Sequence, residues 1–262
     1  MSRLLQALIL FAFSAFFLTA CEDVIDLPLK DAEPMLVIDG SVSNLRQHQE
    51  VLLSQMQPFD SPIRRKAISG AEVYLNEDRG PWRRLWEVSE GRYIIENIRG
   101  KPGSTYGMRV NYAGVSYEAE STMPELVRID STGFSTNTFD DSRRTPLVLY
   151  QDPQGVKNFY YFELMVNEVV NSSIFIYNDK FNDGKVVTEN LDDFSLELKS
   201  GDKVVVELRN IDESNFNYWR SVQSQNGGSA SPGNPLSNIS NGALGSFSAY
   251  SAHSVYFVVD DL

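Results

Sequence analysis

The most constraining feature of the sequence is a two-residue alternation of apolar and polar side chains. In residues 106–112 (Tyr-Gly-Met-Arg-Val-Asn-Tyr) the even positions are apolar and the odd ones small or polar, and the alternation resumes at residues 115–120. This period is that of a β-strand that buries one of its two faces. Ala113 and Gly114 separate the two runs, so the sequence predicts a β-hairpin here.

Further apolar runs and glycine-containing turn signals surround this hairpin. The runs predict strands at residues 36–38, 51–54 and 71–75, and the turn signals stand at residues 78–80, 90–91 and 101–103. Several short strands at this spacing favour an immunoglobulin-like β-sandwich, which we place at residues 35–123. The stretch Thr122-Met-Pro-Glu-Leu ends the alternation, so we place a domain boundary there.

Residues 124–262 are predicted to form a second β-rich domain with one short helix. Residues 160–166 alternate and indicate a half-buried strand. Residues 174–177 and 185–188 flank Asn182-Asp183-Gly184, a turn sequence that suits positive φ angles. These two flanking segments therefore predict a second hairpin.

After a further alternation at residues 204–208 the pattern becomes helical. Asp212 precedes three apolar residues at helical spacing, which are Phe216, Trp219 and Val222. We therefore predict a helix that is capped by Asp212 or Ser214. Residues 226–241 are rich in Gly, Ser, Asn and Pro and predict a long loop, and a loop of more than about 12–15 residues is usually functional or disordered.

The N-terminal residues 1–20 have the pattern of a signal peptide. Arg3 precedes an apolar run of about 15 residues, which is shorter than the roughly 20 that a membrane-spanning helix needs. Leu18-Thr-Ala-Cys21 resembles the bacterial lipobox, which implies cleavage between Ala20 and Cys21 and attachment of lipid, including an acyl chain such as palmitate, to Cys21. Several acyl chains on one residue anchor a protein stably. An ordinary secretory signal is the alternative.

Cys21 is the only cysteine of the chain, so no internal disulfide can form. Residues 21–34 are acidic, interrupted by proline and without periodicity, and we interpret them as a tether. Glu22 and Asp23 resemble the signal that directs lipoproteins of Bacteroidetes to the outer face of the outer membrane. The alternative is that these acidic residues are a solvated tether and no sorting signal, in which case the protein stays on the periplasmic side.

The charge of the chain argues against nucleic acid as a partner. The 23 Lys and Arg residues and 35 Asp and Glu residues give a net charge of −12, whereas phosphate binding requires a basic surface. His48 and His253 are the only histidines, and neither has a second nitrogen or sulfur ligand near it in sequence. Serine-hydrolase and phosphate-loop motifs are missing as well. We therefore predict a non-enzymatic protein without a cofactor or metal.

One acidic segment has partial calcium-site character. Asp179-Lys-Phe-Asn-Asp183-Gly184 has the spacing of an EF-hand start. Phe181 occupies a ligand position, however, and Asn190 stands where the bidentate glutamate is required. The hairpin interpretation is preferred.

Two segments are candidates for binding a partner. Trp82, Arg84 and Trp86 share one face if their segment is extended, and aromatic residues beside a cation are typical of recognition surfaces. Ordinary cross-strand packing explains them equally well. The other segment is the long loop, which starts at Asn226, Gly227 and Gly228, and it is the preferred candidate of the two.

An ordered set of short segments resembles the Bacteroidetes lipoproteins grouped as domain of unknown function 4249. The segments begin at Cys21 (Cys-Glu-Asp), Leu36 (Leu-Val-Ile-Asp-Gly-Ser-Val), Ile68 (Ile-Ser-Gly-Ala-Glu-Val-Tyr), Gly91 (Gly-Arg-Tyr), Gly103 (Gly-Ser-Thr-Tyr-Gly-Met-Arg-Val), Ile129 (Ile-Asp-Ser), Gly201 (Gly-Asp-Lys-Val-Val-Val-Glu-Leu) and Asn234 (Asn-Pro-Leu-Ser-Asn-Ile-Ser-Asn-Gly). The resemblance implies an outer-membrane lipoprotein, often encoded beside a TonB-dependent transporter, and supplies no catalytic residues.

These observations together predict an accessory lipoprotein of a TonB-dependent transporter, anchored in the outer membrane and facing the cell surface. A structural or adhesive surface lipoprotein without a transporter is the first alternative. A carbohydrate-active hydrolase is the second alternative, because some pair of the many acidic residues can always be placed as its catalytic carboxylates.

Overall fold

The apolar positions of the predicted hairpin are its buried positions. In the computed structural model, which describes residues 35–57, 65–137, 140–226 and 234–260, residues 105–112 and 115–122 form adjacent antiparallel strands. Tyr106, Met108 and Val110 are buried. Ala113 and Gly114 have φ angles of 50° and 78°, as a two-residue hairpin turn requires. The predicted hairpin is confirmed.

Strands account for nearly all the regular structure of the described residues. In chain order they are β1 (Leu36–Ser43), β2 (Gln49–Met56), β3 (Arg65–Ala67), β4 (Glu72–Glu77), β5 (Arg83–Ser89), β6 (Arg92–Ile95), β7 (Thr105–Tyr112), β8 (Val115–Thr122), β9 (Ile129–Asn137), β10 (Asp140–Gln151), β11 (Phe159–Val166), β12 (Val169–Val170), β13 (Phe175–Asn178), β14 (Val186–Asn190), β15 (Lys203–Ile211) and β16 (Leu244–Val258). Helix α1 (Glu213–Asn226) lies between β15 and β16. The predicted all-β fold is confirmed.

Thirteen of these strands form one hydrogen-bonded sheet. Its main path runs β12-β11-β15-β16-β1-β2-β6-β5-β4-β7-β8, with β13 beside β11 and β3 beside β2. The other three strands form a second sheet in the order β14-β10-β9. Strands β1 and β16 run parallel, with Val37 opposite Leu244 and Ser43 opposite Tyr250. The last strand of the described chain therefore pairs with the first.

Two hydrophobic cores lie on one face of the large sheet, and a smaller hydrophobic cluster, which includes Phe159, Phe216 and Tyr250, lies on the opposite face beneath α1. The first is enclosed where the sheet curls from β16 round to β8, and it includes Ile38, Val51 and Met108. The second lies between the two sheets and includes Tyr150, Phe162 and Val206. The predicted inward-facing residues of β15, which are Val204, Val206 and Leu208, are all fully buried there.

Strand β16 contributes to both cores from the same face. Phe247 and Ala249 lie in the first core, whereas Val255 and Phe257 pack against the second. All four are odd-numbered, and odd-numbered residues of one strand share a face. The described residues all belong to one compact unit. The division between residues 35–123 and 124–262 stays a prediction.

The predicted hairpin of residues 174–188 is wrong. Strand β13 pairs with β11 in the large sheet, whereas β14 pairs with β10 in the small one. Phe175 and Val187 enter the second core from its two opposing layers, so the intervening turn carries the chain from one sheet to the other. The turn itself is present, with Gly184 at a φ angle of 70°.

Helix α1 begins where the sequence predicts it. The Asp212 carboxylate accepts a hydrogen bond from the backbone N–H of Asn215 at 2.9 Å, which makes Asp212 the N-cap. The apolar side of the helix packs on β11, with the rings of Phe216 and Phe159 5.0 Å apart. No helix of the described residues has the length and hydropathy to cross a membrane.

Candidate functional site

Helix α1 leaves an open groove along the face of the large sheet that points away from the cores. Strands β11, β15, β16, β1 and β2 form the floor, and the helix forms one wall. The groove encloses about 390 Å³, which lies within the range of roughly 300–1,000 Å³ for small-molecule sites. We call it the helix–sheet groove, and its principal lining residues are Asp39, Tyr161, Arg209, Trp219, Ser248 and Tyr250.

The centre of the floor, where β1 meets β16, is polar because strand alternation sends the apolar residues of these two strands to the cores. Asp39 is paired opposite Ser246, and Ser41 opposite Ser248. Their neighbour Ile38 points to the first core, where it is fully buried. The Ser248 hydroxyl is buried and has no hydrogen-bond partner within the described part of the chain.

Arg209 is the central cation of the groove, and its charge is neutralised within the protein. Its Nε lies 2.6 Å from Glu207 Oε1, and its Nη2 lies 2.8 Å from Glu163 Oε1. The guanidinium also lies over the rings of Tyr161 and Tyr250, 5.6 and 4.9 Å from their centroids. Burial raises the pKa of both tyrosines, although Arg209 acts in the opposite direction. Both rings are therefore neutral.

A second ion pair lies at the other end of the groove. Arg65 Nη1 is 3.1 Å from Asp39 Oδ2. Burial raises the pKa of Asp39, and Arg65 opposes that rise. Tyr218 on α1 faces this pair, and burial, followed by the charge of Asp39, raises its pKa to about 12. Tyr218 is thus a neutral hydrogen-bonding phenol at neutral pH.

Aromatic rings line the helix side of the groove. The ring of Trp219 lies 4.9 Å from that of Tyr161 and 5.2 Å from that of Tyr218. Trp219 is half-buried, so part of its ring faces the open groove. Rings of this kind supply flat apolar area together with polar edges.

The two tryptophans predicted as partner contacts lie elsewhere, on strand β5 and the residues before it. Arg109 stacks on Trp82 at 4.2 Å, and Arg84 stacks on Trp86 at 5.0 Å. Trp82 and Trp86 are 37% and 65% exposed. The segment is extended, as assumed, and we call this surface the tryptophan face.

The remaining predicted site residues do not line the groove. Four of them lie outside the residues that the structure describes, and these are Ala20, Cys21, Gly227 and Gly228. The fifth, Asn226, is the last residue of α1.

The two histidines occupy unrelated positions. His48 Nε2 lies 2.8 Å from Arg92 Nη2. His253 Nδ1 accepts a hydrogen bond from the backbone N–H of Ile129, and burial lowers the pKa of His253.

Three carboxylates meet where the chain crosses between the sheets. Asp152, Asp179 and Asp183 each place an oxygen within 4.8 Å of the others, so they are the described residues that could hold a cation. Each of the three carboxylates already accepts a hydrogen bond from a backbone N–H group. The donors are Gly184 for Asp152, Asn158 for Asp179 and Gly155 for Asp183. These hydrogen bonds hold the crossing turn in place.

Sequence reasoning placed Trp219 on the helix but missed its partners in the sheet. The sequence did contain one indication of the site, because the outward-facing residues of two alternating strands are polar or aromatic. On β11 these residues are Tyr161 and Glu163, and they are paired with Arg209 and Glu207 on β15. The position of the partly buried Arg209 between two glutamates can be recognised only when the strand register is known.

The sequence matches the model of one protein family over most of its length. The family model described as Domain of unknown function (DUF4249) matches residues 22–255. The chain belongs to the DUF4249 family. No curated protein matches this DUF4249 chain significantly.

Two solved structures are similar to the DUF4249 chain at 11% identity each. The FN1–FN3 domains of chicken CNTN1 match 87% of this chain and 66% of their own length, with a TM-score of 0.26. A two-domain fibronectin type III segment of chicken tenascin matches 68% of this chain and 90% of its own length, with a TM-score of 0.21. The DUF4249 chain therefore spans about two thirds of the CNTN1 structure.

Proposed function

We propose that this chain is a non-enzymatic binding protein, anchored in the outer membrane by lipid on Cys21, that holds a ligand in the helix–sheet groove for a TonB-dependent transporter. The groove carries this proposal. It combines neutral aromatic rings with charged groups that are already paired, as in the Arg209 cluster. Such a lining favours binding over catalysis, because catalysis requires a poised acid, base or nucleophile.

The anchor and the partner are supported by the sequence pattern. The lipobox-like segment that ends at Cys21 supports the anchor, and acidic Glu22 and Asp23 support exposure at the cell surface. The family resemblance supports a transporter as the partner. The tryptophan face and the loop after Asn226 are the proposed contact surfaces, since exposed aromatic residues with stacked arginines are enriched in interfaces.

The anchor is tested with Cys21→Ala. The variant should not be labelled by a palmitate analogue, and wild type should be. External protease should digest wild type on intact cells. Labelling of Cys21→Ala contradicts the anchor, and full protection until lysis places the protein in the periplasm.

The partner is tested by purifying the acylated protein from its native membrane in mild detergent. A TonB-dependent transporter should co-purify, and a Trp82→Ala/Trp86→Ala double variant should recover less of it. Phe194→Ala is the control, because Phe194 is 85% exposed and lies outside both proposed contact surfaces. An adhesin or assembly protein in place of a transporter supports the adhesive alternative. Turnover of a glycan by the purified protein supports the hydrolase alternative.

A further inference from the structure

The charges in the helix–sheet groove are paired with each other. Arg209 is held by Glu163 and Glu207, and Arg65 is held by Asp39. An anionic ligand would have to displace one of these carboxylates and leave a partly buried charge without its partner, which is costly. A phosphate-bearing ligand in particular requires uncompensated cations. The groove therefore disfavours an anionic ligand.

The floor also disfavours a peptide. Peptides that bind along sheets add a strand to an unpaired edge. Strands β15, β16 and β1, which form the centre of the floor, are each paired on both sides. Their backbone groups are therefore already used, and recognition must come from side chains.

The side chains of the floor and walls differ in chemistry. The floor offers hydroxyl groups from Ser41 and Ser246 beside the paired Asp39 carboxylate. The helix wall offers the partly buried ring of Trp219, which lies 4.9 Å from the ring of Tyr161 at an angle of 40°. Leu52, Ile211 and Val222 also line the groove. A wholly aliphatic or lipid ligand would cover them but would leave the hydroxyl groups and the Asp39–Arg65 pair buried without hydrogen bonds to it, which is unfavourable.

We infer that the helix–sheet groove binds a neutral carbohydrate. A sugar ring has C–H faces that pack on aromatic rings and an edge of hydroxyl groups, which both donate and accept hydrogen bonds. Trp219 packs against the face of the sugar ring. The Asp39–Arg65 pair supplies acceptors and donors for neighbouring hydroxyl groups without a net charge. This inference rests on the proposed function, which makes the groove the ligand site.

The test is calorimetric binding of neutral oligosaccharides of glucose, mannose, xylose and galactose to the full acylated chain. The detergent must have no sugar headgroup, for example lauryldimethylamine oxide. Oligogalacturonate and a neutral tetrapeptide serve as the charged and peptide probes. At least one neutral oligosaccharide should bind, and neither of the other probes should bind as tightly.

Two pairs of variants assign the binding to the groove. Trp219→Ala should weaken it at least tenfold, and Trp219→Phe, which keeps an aromatic ring on the helix, should weaken it less. Tyr256→Ala is the matched control, since Tyr256 is an exposed aromatic residue on β16 beyond the groove. Arg65→Gln should weaken binding severalfold, whereas Lys66→Gln, its exposed neighbour on β3, should not.

The inference is overturned if no neutral oligosaccharide binds, if oligogalacturonate or the peptide binds more tightly, or if Trp219→Ala and Arg65→Gln both bind like wild type. A variant that binds like wild type is folded, so loss of folding does not obscure this last result. If sugar binding is absent while the transporter still co-purifies, the carbohydrate inference fails and the accessory role stands. If sugar binds and no transporter co-purifies, the carbohydrate inference stands and the accessory role fails.

Discussion

Ser121 on strand β8 donates its hydroxyl hydrogen to Asp212, the residue that caps helix α1. The same Ser121 oxygen accepts the backbone N–H of Ala249 on β16 at 2.8 Å. One buried hydroxyl therefore joins the end of the predicted N-terminal segment to the helix and to the last strand. The helix wall of the groove is positioned by this contact as well as by its own packing.

We expect Ser121→Ala to lower the free energy of unfolding by about 2 kcal/mol, because it leaves a buried N–H and a cap carboxylate with fewer partners. Ser214→Ala is the control, since the exposed Ser214 hydroxyl donates to the same Asp212 carboxylate at 2.7 Å. It should cost less than about 0.5 kcal/mol. Urea unfolding measures both, and equal costs would contradict the linking role of Ser121.

Gly245 on β16 is paired with Ile38 on β1. Its φ angle is +91°, and a Cβ atom would stand 2.1 Å from the carbonyl oxygen of Ile38. We expect Gly245→Ala to cost at least ~3 kcal/mol, from backbone strain and the clash together. Gly242 has a φ angle of +74° but open space around it, so Gly242→Ala should cost only about 1 kcal/mol. Similar melting temperatures for the two variants would contradict the parallel pairing.

Burial raises the pKa of Glu189 on β14 from 4.5 to about 7. The folded protein thus binds this proton more tightly than the unfolded chain, so the free energy of unfolding falls as pH rises from about 4.5 to about 7 and is level above. Partial exposure limits the change to ~1–2 kcal/mol. Glu189→Gln should flatten this slope in urea unfolding, whereas the exposed Glu168→Gln should not. Parallel curves for Glu189→Gln and wild type would refute the assignment.

Removing divalent cations should leave the melting temperature unchanged. The three carboxylates at the crossing turn already accept hydrogen bonds from the chain, and a ligand that bound only the folded state would stabilise it by mass action. The measurement is thermal unfolding with a chelator and with added calcium. A rise of several degrees with calcium that Asp152→Asn abolishes would show a cation site instead.

The sequence predicts those parts of the fold in which neighbours in sequence are neighbours in space. The β7–β8 hairpin, the inward face of β15 and the cap at Asp212 follow from local alternation and capping rules. The sequence does not predict strand β9, because Asp130-Ser-Thr-Gly lacks a clear alternation of apolar residues. These residues are extended because they pair with β10, which lies further along the chain.

The candidate site was less predictable than the fold. Trp219 was placed on the helix, but its contact with Tyr161 depends on how α1 crosses the sheet. The polar floor depends on the register of β1 against β16, which no local pattern encodes. The second hairpin failed for the same reason, since a turn sequence does not specify whether its two strands pair with each other or with different sheets.

The position of strand β16 at the end of the sequence delays folding. The strand completes both cores and pairs with β1. A chain that is synthesised from its N terminus therefore cannot complete either core until residues 244–258 have been made. Contacts between such distant residues slow folding, because the entropy of closing the loop is lost before the contacts form. We expect the nascent chain to stay unfolded and open to proteases until synthesis is nearly finished. Such a chain would stay extended long enough to pass through a translocation channel, as the proposed export requires.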